Sequence, residues 1–148
     1  MNPTINGMIA GFVATLVLSA LMFVKGTMGS MPQLDVITVL SRMAGATHVA
    51  GVGWLLHFLI GAVAWGMLFA WLAPSLPGGS DWVKGVIFGA GAWLLMMIAV
   101  MPMAGAGLFG MSLGMVAPAM TLMLHLVFGA VLGFTYQKLP SSGRTVSA

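Results

Sequence analysis

VGWLLHFLIGAVAWGMLFAWL (residues 52–72) contains no Asp, Glu, Lys or Arg, and His57 is its single titratable side chain. About 20 apolar residues carry an α-helix across the hydrocarbon of a bilayer, so this stretch reads as a membrane span. The pattern extends both ways. No acid, Lys or Arg occurs between Arg42 and Asp81 or between Lys84 and Lys138, and the run before Lys25 is equally uncharged. The first interval holds one span, the second holds two, and the N-terminal run makes four.

Composition agrees. Of 148 residues, 60% are hydrophobic and 5% charged, against about a quarter charged in ordinary soluble domains. The expected fold is all-α: an integral-membrane four-helix bundle in a single domain, residues 1–140, with spans near 7–24, 49–72, 82–101 and 117–137. Residues 141–148, polar and rich in Ser, read as a disordered tail. MNPTINGMIAG lacks the basic start of a signal peptide, so the first span is expected to be retained. The absence of cysteine excludes disulfides, zinc thiolates and iron–sulfur clusters.

Between the first two spans lies GTMGSMPQLDVITVLSRMAGA, too polar to cross. Ser30 followed by Gln33 resembles a capping box, and Leu34, Ile37, Leu40 and Ala44 recur at helical spacing. With Asp35 near the start and Arg42 near the end, as the helix dipole favours, a short interfacial helix is expected at 31–44. Pro102 should break or kink the end of the third span. AGAGLFGMSLG then connects to the fourth. Lys84, Lys138 and Arg144 fall on the side of the termini, against Lys25 and Arg42 opposite, so the positive-inside rule places both termini in the cytoplasm.

The chain also matches itself. Gly7, Ile9, Gly11, Ala14 and Leu16 of the first span fall on Gly85, Ile87, Gly89, Ala92 and Leu94 of the third. Leu56, His57, Gly61, Ala62 and Val63 of the second fall on Leu124, His125, Gly129, Ala130 and Val131 of the fourth. Two tandem helical hairpins follow, related by a parallel pseudo-two-fold axis. Gly7 and Gly11, Gly85 and Gly89, and Gly129 and Gly133 form Gly-x-x-x-Gly pairs that let helices approach closely. Gly53, His57 and Gly61 share one helix face, as do Thr121, His125, Gly129 and Gly133, so both imidazoles are expected to point into the bundle.

An intramembrane histidine either bonds a neighbouring helix or serves a ligand. The sharpest ligand reading is haem b, with His57 and His125 as axial ligands of the iron. Gly61 and Gly129 would leave room for the macrocycle, with Trp54, Phe58 and Trp65 lining it. A quinone or other apolar ligand near the histidines is a related reading, and His48 reads as interfacial. Fifteen methionines include Met97/Met101 and Met111/Met115 at a spacing that suits Cu(I), although packing explains them as well. Asp35 and Asp81, the two acids, lie in connectors, so a carboxylate proton relay or sodium site is not expected. Ser19 reads as back-bonding within its helix rather than as a nucleophile.

GMIAGFVAT, GSMPQLDVI, HFLIGAV, MPMAGAGLFG and APAMTLMLHLVFGAVLG, spread from Gly7 to Gln137, resemble a group of small bacterial membrane proteins classed as a domain of unknown function. The resemblance implies a bacterial inner-membrane setting and brings no catalytic residues. The expected role is an accessory or scaffolding membrane component without catalysis of its own. The alternatives are a b-haem protein and a carrier of copper or a small apolar molecule. The expected partners are the bilayer and, through the glycine faces, other membrane subunits or a second copy; nucleic acid is not expected.

Overall fold

The structure, a computed structural model, describes residues 2–27 and 35–140. Four helices are long and apolar enough to cross a membrane: α1 (Pro3–Thr27), α3 (Ala50–Leu72), α4 (Asp81–Met103) and α5 (Ala117–Lys138). Between the first two of these lies α2 (Val36–Met43). No strand occurs among the described residues. This is the helix bundle of a multi-pass membrane protein, and its outer surface agrees: Phe23, Leu55 and Trp71 are each at least 60% exposed. Apolar exposure on that scale needs a non-aqueous surrounding.

Lipid chains are as apolar as leucine, so hydrophobicity alone does not bring spans together. Close backbone packing does. A Cβ built on Gly7 or Gly11 of α1 would overlap the backbone carbonyls of Gly66 or Gly61 in α3. One built on Gly85 would overlap the Gly129 carbonyl, and one on Gly133 the Asp81 carbonyl. Each hairpin is therefore seamed by main chain against main chain. α1 also packs along α5, joining the hairpins. Aromatic rings complete the junction: Phe88 of α4 meets Trp65 at 5.7 Å and Phe69 at 5.4 Å, and Phe69 meets Tyr136 at 5.4 Å. Each such pair contributes about 0.5–1.5 kcal/mol beyond its burial.

The two seams differ in register. Gly11 faces Gly61, whereas its sequence counterpart Gly89 faces the carbonyl of His125, one helical turn before Gly129. The matched glycines thus mark the seam in both hairpins but meet positions a turn apart.

Seam and ring contacts lie towards the end that carries the termini, where the Asn6 side-chain amide donates to the Pro140 carbonyl at 3.1 Å. Towards the other end α1 leaves α3, touching its residues 50–58 far less than its later turns. Two π-helical segments lie in this region or border it, Leu59–Trp65 in α3 and Met96–Val100 in α4. The second immediately precedes Met101–Met103, in which Pro102 has no N–H to return to the preceding turn. The helix ends one residue later, at Met103, so Pro102 marks the end of this span as its place in the sequence implied.

α2 begins at Val36, five residues after the expected start, because Asp35 rather than Ser30 is its N-cap. Its backbone is extended (φ −96°, ψ 93°) and its carboxylate accepts from the Ile37 and Thr38 amides. Ser30, Gln33 and Leu34 of the expected motif lie outside the described residues, as does the tail 141–148. Burial disfavours the charged carboxylate of Asp35. Bonds from the Thr38 hydroxyl and the Thr38 and Ile37 amides, with the Lys25 charge, outweigh that and hold its pKa below the usual value.

Two predictions follow from seam and cap. Gly129→Leu should destabilise the bundle by about 1–3 kcal/mol through overpacking, read as a lower unfolding midpoint in detergent. Gly91→Leu, where a Cβ meets nothing within 4 Å, should leave it unchanged. Asp35→Ala should cost about 0.5–2 kcal/mol of local stability, read as faster hydrogen exchange of the α2 amides. Because the folded carboxylate has the lowered pKa, its charge stabilises α2 fully above about pH 4, and that contribution fades as pH falls through the folded value. Asp35→Asn should retain a cap without the pH dependence.

Candidate functional site

The splayed end encloses a cavity of about 280 Å³. Its walls are mostly apolar, formed by Leu18 and Met22 of α1, Met96 and Val100 of α4, and Met120 and Leu124 of α5. α2 and the connector after α4 form its outer rim. That connector coils tightly as a 3-10 segment, Leu108–Leu113, with Phe109 (φ 56°) and Gly110 (φ 66°) in left-handed backbone. The turn brings Ser112 back to the Ala106 carbonyl, its N–H at 3.1 Å and its hydroxyl at 2.7 Å. Phe109 meets Trp93 at a tilt, ring centroids 5.9 Å apart, and so holds the connector against α4.

Both histidines line this cavity. His57 is 8% exposed, and Trp54 and Phe58 meet its ring edge-on at 5.9 and 5.8 Å. Its Nε2 lies 3.2 Å from the Ser19 hydroxyl. Ser19 donates its one proton to the Thr15 carbonyl at 2.8 Å, and a carbonyl can only accept. Nε2 must therefore carry the proton that His57 gives to Ser19, which leaves Nδ1 with its lone pair. Ser19 thus back-bonds within α1, as its sequence context implied, and also ties α3 to α1.

His125 is bound the opposite way. Its Nδ1 lies 2.8 Å from the Thr121 carbonyl one turn earlier in α5, so Nδ1 donates and Nε2 keeps the lone pair. Among the described residues neither lone-pair nitrogen has a hydrogen-bond partner. The sequence makes the two histidines equivalent; their bonding does not.

The remaining candidates fall elsewhere. The space beside Gly61 is filled by Thr15 and that beside Gly129 by Gly85 and Gly89, and neither glycine lines the cavity. Trp65 sits in the aromatic core against Phe88. Met97 and Met101 are buried with Ala106, and only Met101 of that pair reaches the cavity, while Met111 and Met115 are exposed. His48 is exposed, as an interfacial residue would be. No group of three or more His, Cys, Asp or Glu is placed to hold a metal among the described residues.

Sequence reasoning missed three contributors. Trp93 donates from Nε1 to the Pro118 carbonyl and the Thr121 hydroxyl, both at 3.1 Å, and so fixes the start of α5 beside the cavity. Lys25 and Arg42, read from the sequence for orientation and, in the case of Arg42, as a helix-end charge, both reach the cavity. A tryptophan in an apolar run and a cation at a helix end carry no signal of convergence until the helices are placed.

A family model described as a family of unknown function, DUF6789, matches residues 1–146. No curated protein and no solved structure matches the chain.

The opposed tautomers are directly measurable. With ¹⁵N-labelled histidine in a His48→Gln background, which removes the third, exposed imidazole, ring-nitrogen spectra at neutral pH should show one Nε2–H ring (His57) and one Nδ1–H ring (His125). Ser19→Ala should release the first and leave the second, at a stability cost of about 1 kcal/mol or less. Two rings in the same tautomer would contradict the bonding described.

Proposed function

The chain belongs to DUF6789, a family of unknown function, and we propose that it is an accessory inner-membrane protein, without catalysis of its own, that holds a small amphipathic molecule in the cavity between its hairpins. One observation carries this reading: two imidazoles, each with an unpartnered ring nitrogen, line the same apolar-walled space. A ligand that supplies O–H groups would give these acceptors a donor, while its apolar body fills the walls. Small-molecule sites have this character, few convergent polar groups in an apolar cleft.

A b-type haem between His57 and His125 is the second reading, favoured by the same convergence. His125 supports it best, since a ligating imidazole ordinarily donates its other N–H to a carbonyl or carboxylate. The glycine spaces that would admit a macrocycle are occupied by Thr15 and the Gly85 backbone. A volume of about 280 Å³, at the lower edge of the usual ligand-pocket range, suits a smaller molecule.

The test compares two probes in lipid nanodiscs, 4-hexylphenol and its methyl ether 4-hexylanisole, which differ in the donor. The phenol should move the lone-pair nitrogen signals of His57 and His125, and the ether should not. Met120→Trp, which fills the cavity, should weaken the phenol response about tenfold. Absence of any phenol response in folded protein would overturn the small-molecule reading. Sharp Soret and α bands in the reduced, purified protein would replace it with haem.

A further inference from the structure

The cavity has two polar levels, and the proposal above uses only the inner one. At the outer level Lys25, near the end of α1, and Arg42, near the end of α2, line the same space as the histidines. Lys25 is six residues beyond Ser19, the His57 partner; at 1.5 Å per residue that is roughly 9 Å along α1. The cavity therefore runs from a cationic rim to an imidazole floor, with apolar walls between.

The two acids of the sequence stand differently to this rim. Asp81 is paired with Lys84 at 3.5 Å, next to the end of the bundle that carries the termini. Asp35 acts on Lys25 electrostatically, but its oxygens are committed to the Ile37 and Thr38 amides and the Thr38 hydroxyl, and it does not line the cavity. Arg42 makes no ion pair among the described residues. Its guanidinium fork matches the paired oxygens of a carboxylate or phosphate.

Resting on the small-molecule reading, we infer that the ligand is a single-chain anionic amphiphile, a carboxylate or phosphate ester, whose head is held at the rim by Arg42 and Lys25 and whose apolar body extends towards the histidines. It enters from the face opposite the termini, where α1 and α3 part. The rim also argues against a cationic cargo. Met22, Met96, Met101 and Met120 line the walls with the histidines, a donor set attractive to Cu(I), but a copper ion would have to pass two fixed positive charges.

Photo-crosslinking separates these outcomes. Four diazirine-bearing alkyl probes of equal length, ending in carboxylate, phosphate, alcohol or trimethylammonium, are applied to the full chain in phosphatidylcholine nanodiscs, and labelled peptides are mapped. Carboxylate or phosphate should label the cavity segments about tenfold more than the ammonium probe, the ratio expected for one charge-assisted hydrogen bond. Which of the two labels more strongly identifies the head group. Lys25→Gln with Arg42→Gln should abolish that preference while leaving alcohol labelling intact, which also shows that the variant is folded. Arg42→Lys should restore part of it, through charge without the fork. Equal labelling by all four probes, unaffected by the substitutions, would overturn the anionic rim while the phenol response at the histidines still stood. Chelator-competed binding of Cu(I) that depends on His57 and His125, with no anion preference, would overturn it in favour of the metal.

Discussion

Everything in this bundle depends on main chain meeting main chain at a few glycines. In lipid, a helix gains little by exchanging acyl chains for leucine side chains, so association rests on how closely backbones approach. Gly7 against Gly66, Gly11 against Gly61, and Gly85 against Gly129 provide that approach. The seams place Phe69, Phe88, Trp65 and Tyr136 within ring contact of one another, and the aromatic cluster then locks the hairpins together.

The same constraint creates the cavity. The glycine seam closes the bundle towards the termini, and no comparable seam continues past Gly11 towards Lys25. There the side chains are larger, α1 and α3 diverge, and the space is walled by α2, the coiled connector and the π segment before Pro102. Polar groups collect where the helices part: Ser19, His57, Thr121 and His125 lie at this level, with Lys25 and Arg42 farther out. A tightly packed interior has no place for six such side chains unless each is fully bonded.

Much of the fold was legible. Four uncharged runs of the right length imply four helices, and the recurrence of glycine at i,i+4 implies where they approach. His57 and His125 on glycine-bearing faces implied inward imidazoles, and both line the interior cavity. The N-cap of α2 is Asp35, through its own extended backbone and carboxylate, while Ser30 and Gln33 of the expected capping box lie outside the described residues. The site itself was only half visible. Matching sequence around His57 and His125 predicts matching environments, yet a seam displaced by one turn gives His57 a serine partner and leaves His125 bonded to its own helix.

The sequence by itself determined that this chain fills a membrane with four helices, because the spacing of charges sets span length and number without reference to packing. It also determined which faces are smooth enough to meet, because glycine spacing is a local property. The tertiary structure alone decided which ring nitrogen each histidine keeps free and that Lys25 and Arg42 overlook the same space. Those depend on the register between helices and the point at which they part. Register is a property of pairs, set by whichever backbone contacts close best, and no single run of residues records it.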